Sequence, residues 1–158
     1  MKHFTGRNHY ESQAAEAAPL GSRLGGYDST TACAYWNWLG PEGRQAERRF
    51  LKADLAFPFV YGGTLLTSLL LVWGWLGRPF NRGWLALPVA ITVLADWLEN
   101  LVQCEQLNAF VHFEPVQSDW IQVASVATTT KLVFLGISSL LLIGLTAWWV
   151  VRALGPGE

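Results

Sequence analysis

Charge is what this sequence has least of. Only 15% of its 158 residues are Asp, Glu, Lys or Arg, where a soluble domain carries nearer a quarter. Together with 51% hydrophobic residues, that scarcity argues against an ordinary water-facing surface. The net charge of −1 shows no excess of either sign. The bases gather ahead of the first apolar run and form no aromatic-interleaved stripe, so a nucleic-acid partner is excluded. Cysteine is nearly absent: Cys33 and Cys104 have no metal-site spacing, and in a reducing compartment they would not pair. The opening "MKHFTGRNHYESQAAEAAPLGSRLGGYDS" lacks an apolar core and does not read as a signal peptide. Its Gly, Ser, Ala and Glu content predicts a loosely ordered tail over residues 1–28.

What the sequence has in quantity is apolar length and tryptophan, nine of the latter. Leu55 to Gly77 and Leu132 to Val151 carry no charge, and each is about as long as a membrane-crossing helix. A third apolar run, Trp84 to Gln103, is interrupted only by Asp96 and Glu99. The expectation is an all-α integral membrane bundle over residues 29–154, with spans near 54–76, 84–103 and 130–151. Ahead of them "STTACAYWNWLG" predicts an interfacial helix, capped by Ser29 or Thr30, with Tyr35, Trp36 and Trp38 as interfacial anchors. "GPEGR" breaks it, and "EGRQAERRFLKAD" resumes as a basic amphipathic helix. "CEQLNAFVHFEPVQSD" is expected to be a connection. The last helix is expected to start near Trp120, after a cap at Ser118 or Asp119, and to run to Leu154. Arg44, Arg48, Arg49 and Lys52 flank the first span and predict a cytoplasmic N-terminus, in what would be a bacterial inner membrane.

The question is why Asp96 and Glu99 lie where the neighbouring residues call for oil. Alternating spans put the start of span one, the end of span two and the start of span three in one leaflet. Those places carry Asp54, then Asp96, Glu99 and Asn100, then Thr128 and Lys131. Thr92, Asp96, Glu99, Asn100 and Gln103 recur at steps of three and four and form one stripe. Asp54 and Tyr61, seven apart, share a face. At about 1.5 Å per residue, Asp96 lies roughly 18 Å below Trp84, deep enough that an exposed charge would cost a few kcal/mol. These groups should therefore face one another. Three carboxylates against one lysine imply a further base, a protonated acid or a bound cation. Gly62 and Gly63 fit a close helix crossing.

The order "LGPEGR", "DLAFPFVYG", "LP" ahead of "DWLEN", then "ASVATTTK" resembles a widespread group of small multi-pass membrane proteins, bacterial and fungal, of unknown function. The resemblance covers about residues 39–142. It implies signature positions at Gly43, Arg44, Asp54, Pro58, Tyr61, Asp96, Glu99, Asn100 and Lys131. The group places a tyrosine after its "GR" pair, where this chain reads "QAERR".

Three functions compete. In the first, a lipid or other amphiphile binds at the cluster, with enzymatic turnover left open. Asp96 and Glu99 are then the catalytic candidates. Asp54, Asp96 and Glu99 are candidate ligands for a divalent cation such as Mg²⁺ or Mn²⁺. Lys131 and Arg44 would hold an anionic head group, with Asp54, Tyr61 and Asn100 completing the binding set. In the second, the carboxylates form a proton or ion relay, which needs a homo-oligomer or membrane-protein partner. In the third, the cluster is a structural clasp in an accessory or assembly subunit.

Overall fold

A computed structural model describes residues 18–77 and 82–154. The expected tail falls mostly on residues 1–17, outside the described residues. Its remainder, 18–28, is packed on the bundle: Leu20 is fully buried and Tyr27 nearly so. Four helices follow, with no strand among the described residues: α1 (Ser29–Asp54), α2 (Phe57–Trp75), α3 (Ala86–Val111) and α4 (Ser118–Leu154). Short 3₁₀ turns at Leu20–Ser22 and Arg82–Leu85 precede α1 and α3.

The helix boundaries follow local chemistry. Asp28, one residue before the expected cap, accepts the Thr31 amide at 2.8 Å and so satisfies one of the donors that a helix start leaves free. Gly40 breaks α1 at φ 65°, ψ −178°. Glycine reaches that positive φ without strain, and the following Pro41 forces its ψ to extended values. Beyond the break, Glu47, Leu51 and Asp54 lie on one face of α1, with Arg48, Arg49 and Lys52 rotated away from it. The turn at Leu55–Ala56 separates α1 from α2, and the Trp97 indole donates to the Leu55 carbonyl at 3.0 Å. That bond occupies a carbonyl the helix end would leave without a partner. Pro58 falls in the first turn of α2, where its missing N–H costs nothing. Asp54 and Tyr61 therefore belong to different helices, not to one face of one helix.

Three segments are long and apolar enough to cross a bilayer: Ser29–Trp75, Gly83–Val111 and Ser118–Leu154. This is a membrane-embedded helical bundle. Within the first segment, α2 alone has 19 residues, about 28 Å of helix, close to the hydrocarbon thickness. The other helices are longer. α3 continues eight residues beyond the expected end at Gln103, to Val111, so much of the expected connection is helix. α4 has 37 residues, about 55 Å, and overruns the membrane. The extended end of α3, together with the start of α4, packs the first half of α1 as a fourth element. There Tyr35 and Trp36 are buried in protein and only Trp38 is exposed, so two of the three expected membrane anchors belong to the core.

The interior has three layers. At one end Leu20, Tyr27, Trp36, Leu107, Ile121 and Ala124 belong to one apolar cluster. At the other, Leu69, Val72, Trp73, Leu85, Val89 and Leu145 belong to a second. Between them lie buried Thr92, Asp96, Glu99, Asn100, Gln103, Thr128 and Ser138. α3 packs against every other helix, which is why its polar stripe becomes the middle layer.

Gly62 sets the α2–α3 spacing. A Cβ there would come within 2.5 Å of a Val93 methyl, whereas one on Gly63 meets nothing within 4 Å. Gly62→Ala is expected to lower stability by about 1–3 kcal/mol through overpacking. Gly63→Ala should be neutral or slightly stabilising because alanine favours helix. Thermal unfolding of the two variants in the same detergent checks the difference; equal melting temperatures would refute it.

Candidate functional site

Asp96 is at the centre of the polar layer. The Tyr61 hydroxyl of α2 donates to its Oδ2 at 2.8 Å. Its Oδ1 accepts from Lys131 Nζ of α4 at 3.1 Å and from Asn100 Nδ2 at 3.3 Å. The same Asn100 amide spends its other hydrogen on Asp54 Oδ2 at the end of α1, 3.0 Å away. One carboxylate and one amide thus tie four helices together. Tyr61 lies four residues into α2, about 6 Å along the helix, which puts this layer just inside the hydrocarbon boundary.

Lys131 bridges two acids. Its ammonium is 2.5 Å from Glu99 Oε2 as well as 3.1 Å from Asp96 Oδ1. The Asp96 and Glu99 side chains are only 5% and 1% exposed. At this depth their shared cation offsets part of a large desolvation cost. Neutral donors supply the rest: Gln103 Nε2 donates to Glu99 Oε1 at 3.0 Å and to the Tyr27 hydroxyl at 2.8 Å. Tyr27 lies outside the spans, and burial pushes its hydroxyl up to about 12. It therefore stays protonated across any working pH.

The 18–28 segment reaches this layer from outside the helices. Tyr27 N–H donates to Ser125 Oγ at 2.7 Å, and Thr129 Oγ1 donates to the Leu24 carbonyl at 3.3 Å. Gly21 lies directly over the ion pair. A Cβ there would sit 2.8 Å from Glu99 Oε1 and 3.7 Å from Lys131 Nζ.

A cleft of about 430 Å³ opens beside the pair. Asp54, Glu99, Asn100, Gln103 and Lys131 line its polar side. Glu47, Phe50 and Leu51 of α1 and Pro19, Gly21 and Ser22 of the N-terminal segment complete it. Of the residues expected from sequence, Asp54, Glu99, Asn100 and Lys131 border the cleft, while Asp96 and Tyr61 lie behind its wall. Arg44 is elsewhere: its guanidinium lies 5.5 Å from the centre of the Phe110 ring, a cation–π contact. The arrangement is therefore unfavourable to an anionic head group, because Arg44 is turned away and Lys131 is taken up by two carboxylates. For Mg²⁺ or Mn²⁺, no three His, Cys, Asp or Glu side chains converge among the described residues. The place between Asp96 and Glu99 is held by the lysine ammonium.

Sequence reasoning missed Glu47, Phe50, Gly21 and Tyr27. Glu47, Leu51 and Asp54, at i, i+4 and i+7 on an amphipathic helix, were the signal for Glu47. Nothing local marked Gly21. No family model, curated protein or solved structure matches this chain.

Proposed function

We propose that this protein binds an amphiphile, whose polar head enters the cleft beside the Glu99–Lys131 pair while its tail lies along Phe50 and the membrane-facing surface. The observation that carries this reading is the cleft's mixed lining, in which Glu47, Asp54, Glu99, Asn100, Gln103 and Lys131 stand beside apolar Phe50, Leu51 and Pro19. Its size falls within the range of ligand pockets. Lys131 already holds Asp96 and Glu99, and the lining adds two more acids, Glu47 and Asp54. That balance favours a cationic head over a phosphate. The basic flank of α1 supports a cytoplasmic-leaflet position for the cleft.

The Asp96 junction behind the wall acts as a clasp, a second role supported by its three donors from three helices. The relay reading has little support, since the polar layer ends at Thr92 and Ser138 and an apolar cluster around Leu69, Trp73 and Leu145 closes the far end. Placement with the small multi-pass group is likewise our proposal. Its support is that Asp54, Tyr61, Asp96, Glu99, Asn100 and Lys131, all signature positions, belong to one bonded cluster.

The test uses the full chain in phosphatidylcholine nanodiscs, titrated separately with dodecylammonium, dodecyl phosphate and dodecyl maltoside. Saturable binding of the ammonium, at least roughly tenfold tighter than of the phosphate, is the expected result. No saturable binding of any of the three would overturn the proposal.

A further inference from the structure

We propose that copies of this chain associate through a groove between α3 and α4, which receives the basic outer face of a neighbouring copy's α1. The groove has a volume of about 590 Å³ and is lined by Leu98 of α3 and Val123, Val126 and Ala127 of α4, with Asp119 at one end and Thr130 at the other. On α4 it occupies the face opposite Ala124, Ser125, Thr128 and Lys131, which meet the rest of the bundle. It is therefore separate from the cleft beside Glu99, and the proposal does not depend on the amphiphile reading.

Lipid does not account for this surface. Thr130 is next to Lys131, at the depth of the polar layer. Asp119 is eleven residues earlier, about 16 Å further along α4. The head groups on each side of the hydrocarbon occupy only about 5–8 Å, so the Asp119 half of the groove stands beyond them. Val126 is nevertheless 60% exposed, and Val123 and Leu101 are exposed with it. On the other side of the same overhang, α1 packs around Trp36 and Ile121 in an apolar cluster. An apolar side left open above the bilayer marks an association surface.

Charge identifies the occupant. From Glu105 to Thr130 the chain has no Lys or Arg, only the acids Glu105, Glu114 and Asp119. Leu101 and Glu105 continue the Leu98 face of α3 at steps of three and four, and Asp119 closes the groove on α4. The complementary surface is on this same chain. Beyond the Gly40 break, α1 turns Glu47, Leu51 and Asp54 inward. Ala46, Arg49, Lys52 and Ala53, all exposed, form its outer face, with Glu42 at the far end. The two alanines let that face lie close against a neighbour, and Arg49 and Lys52 bring the charge that the acidic rim lacks. Both surfaces belong to the same end of the bundle, so they meet between copies that share one membrane orientation. Because the two surfaces differ, the contact is head-to-tail and repeats from copy to copy.

The experiment measures self-association of the full chain by analytical ultracentrifugation in a mild detergent at low ionic strength. The wild type is expected to associate. Arg49→Glu with Lys52→Glu, and separately Glu105→Lys with Asp119→Lys, should each weaken association by at least roughly tenfold, since each sets like charges face to face. All four side chains are exposed, so the fold should tolerate the changes. An equimolar mixture of the two double variants should associate again, because each then offers the other an opposite charge; variants that had lost the fold could not do so. A monomeric wild type overturns the proposal. So does a double variant that associates as the wild type does, or a mixture that stays monomeric.

Discussion

Lys131→Met is expected to destabilise the bundle by about 3–5 kcal/mol, the cost of stranding buried carboxylates. The wild-type ammonium contacts both Asp96 and Glu99, whose side chains are almost wholly out of contact with solvent. Methionine fills much the same volume but supplies no charge and no donor. Asp96 would retain Tyr61 and Asn100; Glu99 would retain Gln103. Neither set neutralises an anion. The loss should be largely repaired by Asp96→Asn with Glu99→Gln in the Lys131→Met background, because an uncharged cluster of similar shape has no ion to desolvate. Lys131→Arg is not a gentle control here. A planar guanidinium cannot take the place of a compact ammonium beside Gly21 without moving something. Denaturant titration of the purified variants in one detergent measures the effect. If Lys131→Met unfolds at the wild-type midpoint, the three-sided bridge contributes nothing to holding the helices, and the clasp role is lost.

What the sequence made legible was what local period controls. A stripe at steps of three and four on α3 placed Thr92, Asp96, Glu99, Asn100 and Gln103 on one face, and all five are buried in the same layer. The antiparallel alternation of spans then brought Asp54 and Lys131 to that layer without any knowledge of packing. Errors arose where tertiary contact decides the outcome. Tyr35 and Trp36 look like interfacial aromatics, because chain composition cannot say that α3 runs on to Val111 and brings Phe110 against Trp36. The 18–28 segment, with its glycines and serine, looks unstructured because its order comes from distant side chains: Ser125, Thr129 and Gln103. The α1–α2 boundary was shifted because the two-residue turn at Leu55–Ala56 carries no punctuating Gly or Asn. The contact of Arg44 with Phe110 was illegible for a related reason, since Phe110 is 66 residues away in a segment expected to be a connection.

Neutralising the α1 side of the cleft with Glu47→Gln and Asp54→Asn together should weaken binding of dodecylammonium by roughly a hundredfold, taking about 1.4 kcal/mol for each charge-assisted contact removed. These two acids are the ones to change because the others are already committed. Asp96 lies behind the wall, and Glu99 is bound to Lys131. Asp54 accepts one hydrogen bond from Asn100, and Glu47 lies beside Tyr35. Both line the cleft. The substitutions preserve shape and hydrogen-bonding atoms, and α1 keeps its Leu51 contact with the core, so stability should fall much less than in Lys131→Met. Dodecyl phosphate should gain affinity in the same variant, because removing two negative charges unmasks the field of Lys131. Raising the salt concentration should weaken the wild-type ammonium complex more than that of the double variant, since screening acts on the charges that were removed. A double variant with wild-type affinity for the ammonium would show that the head group does not meet α1. The cleft would then have to admit its ligand from the Gln103 side, beneath the N-terminal segment.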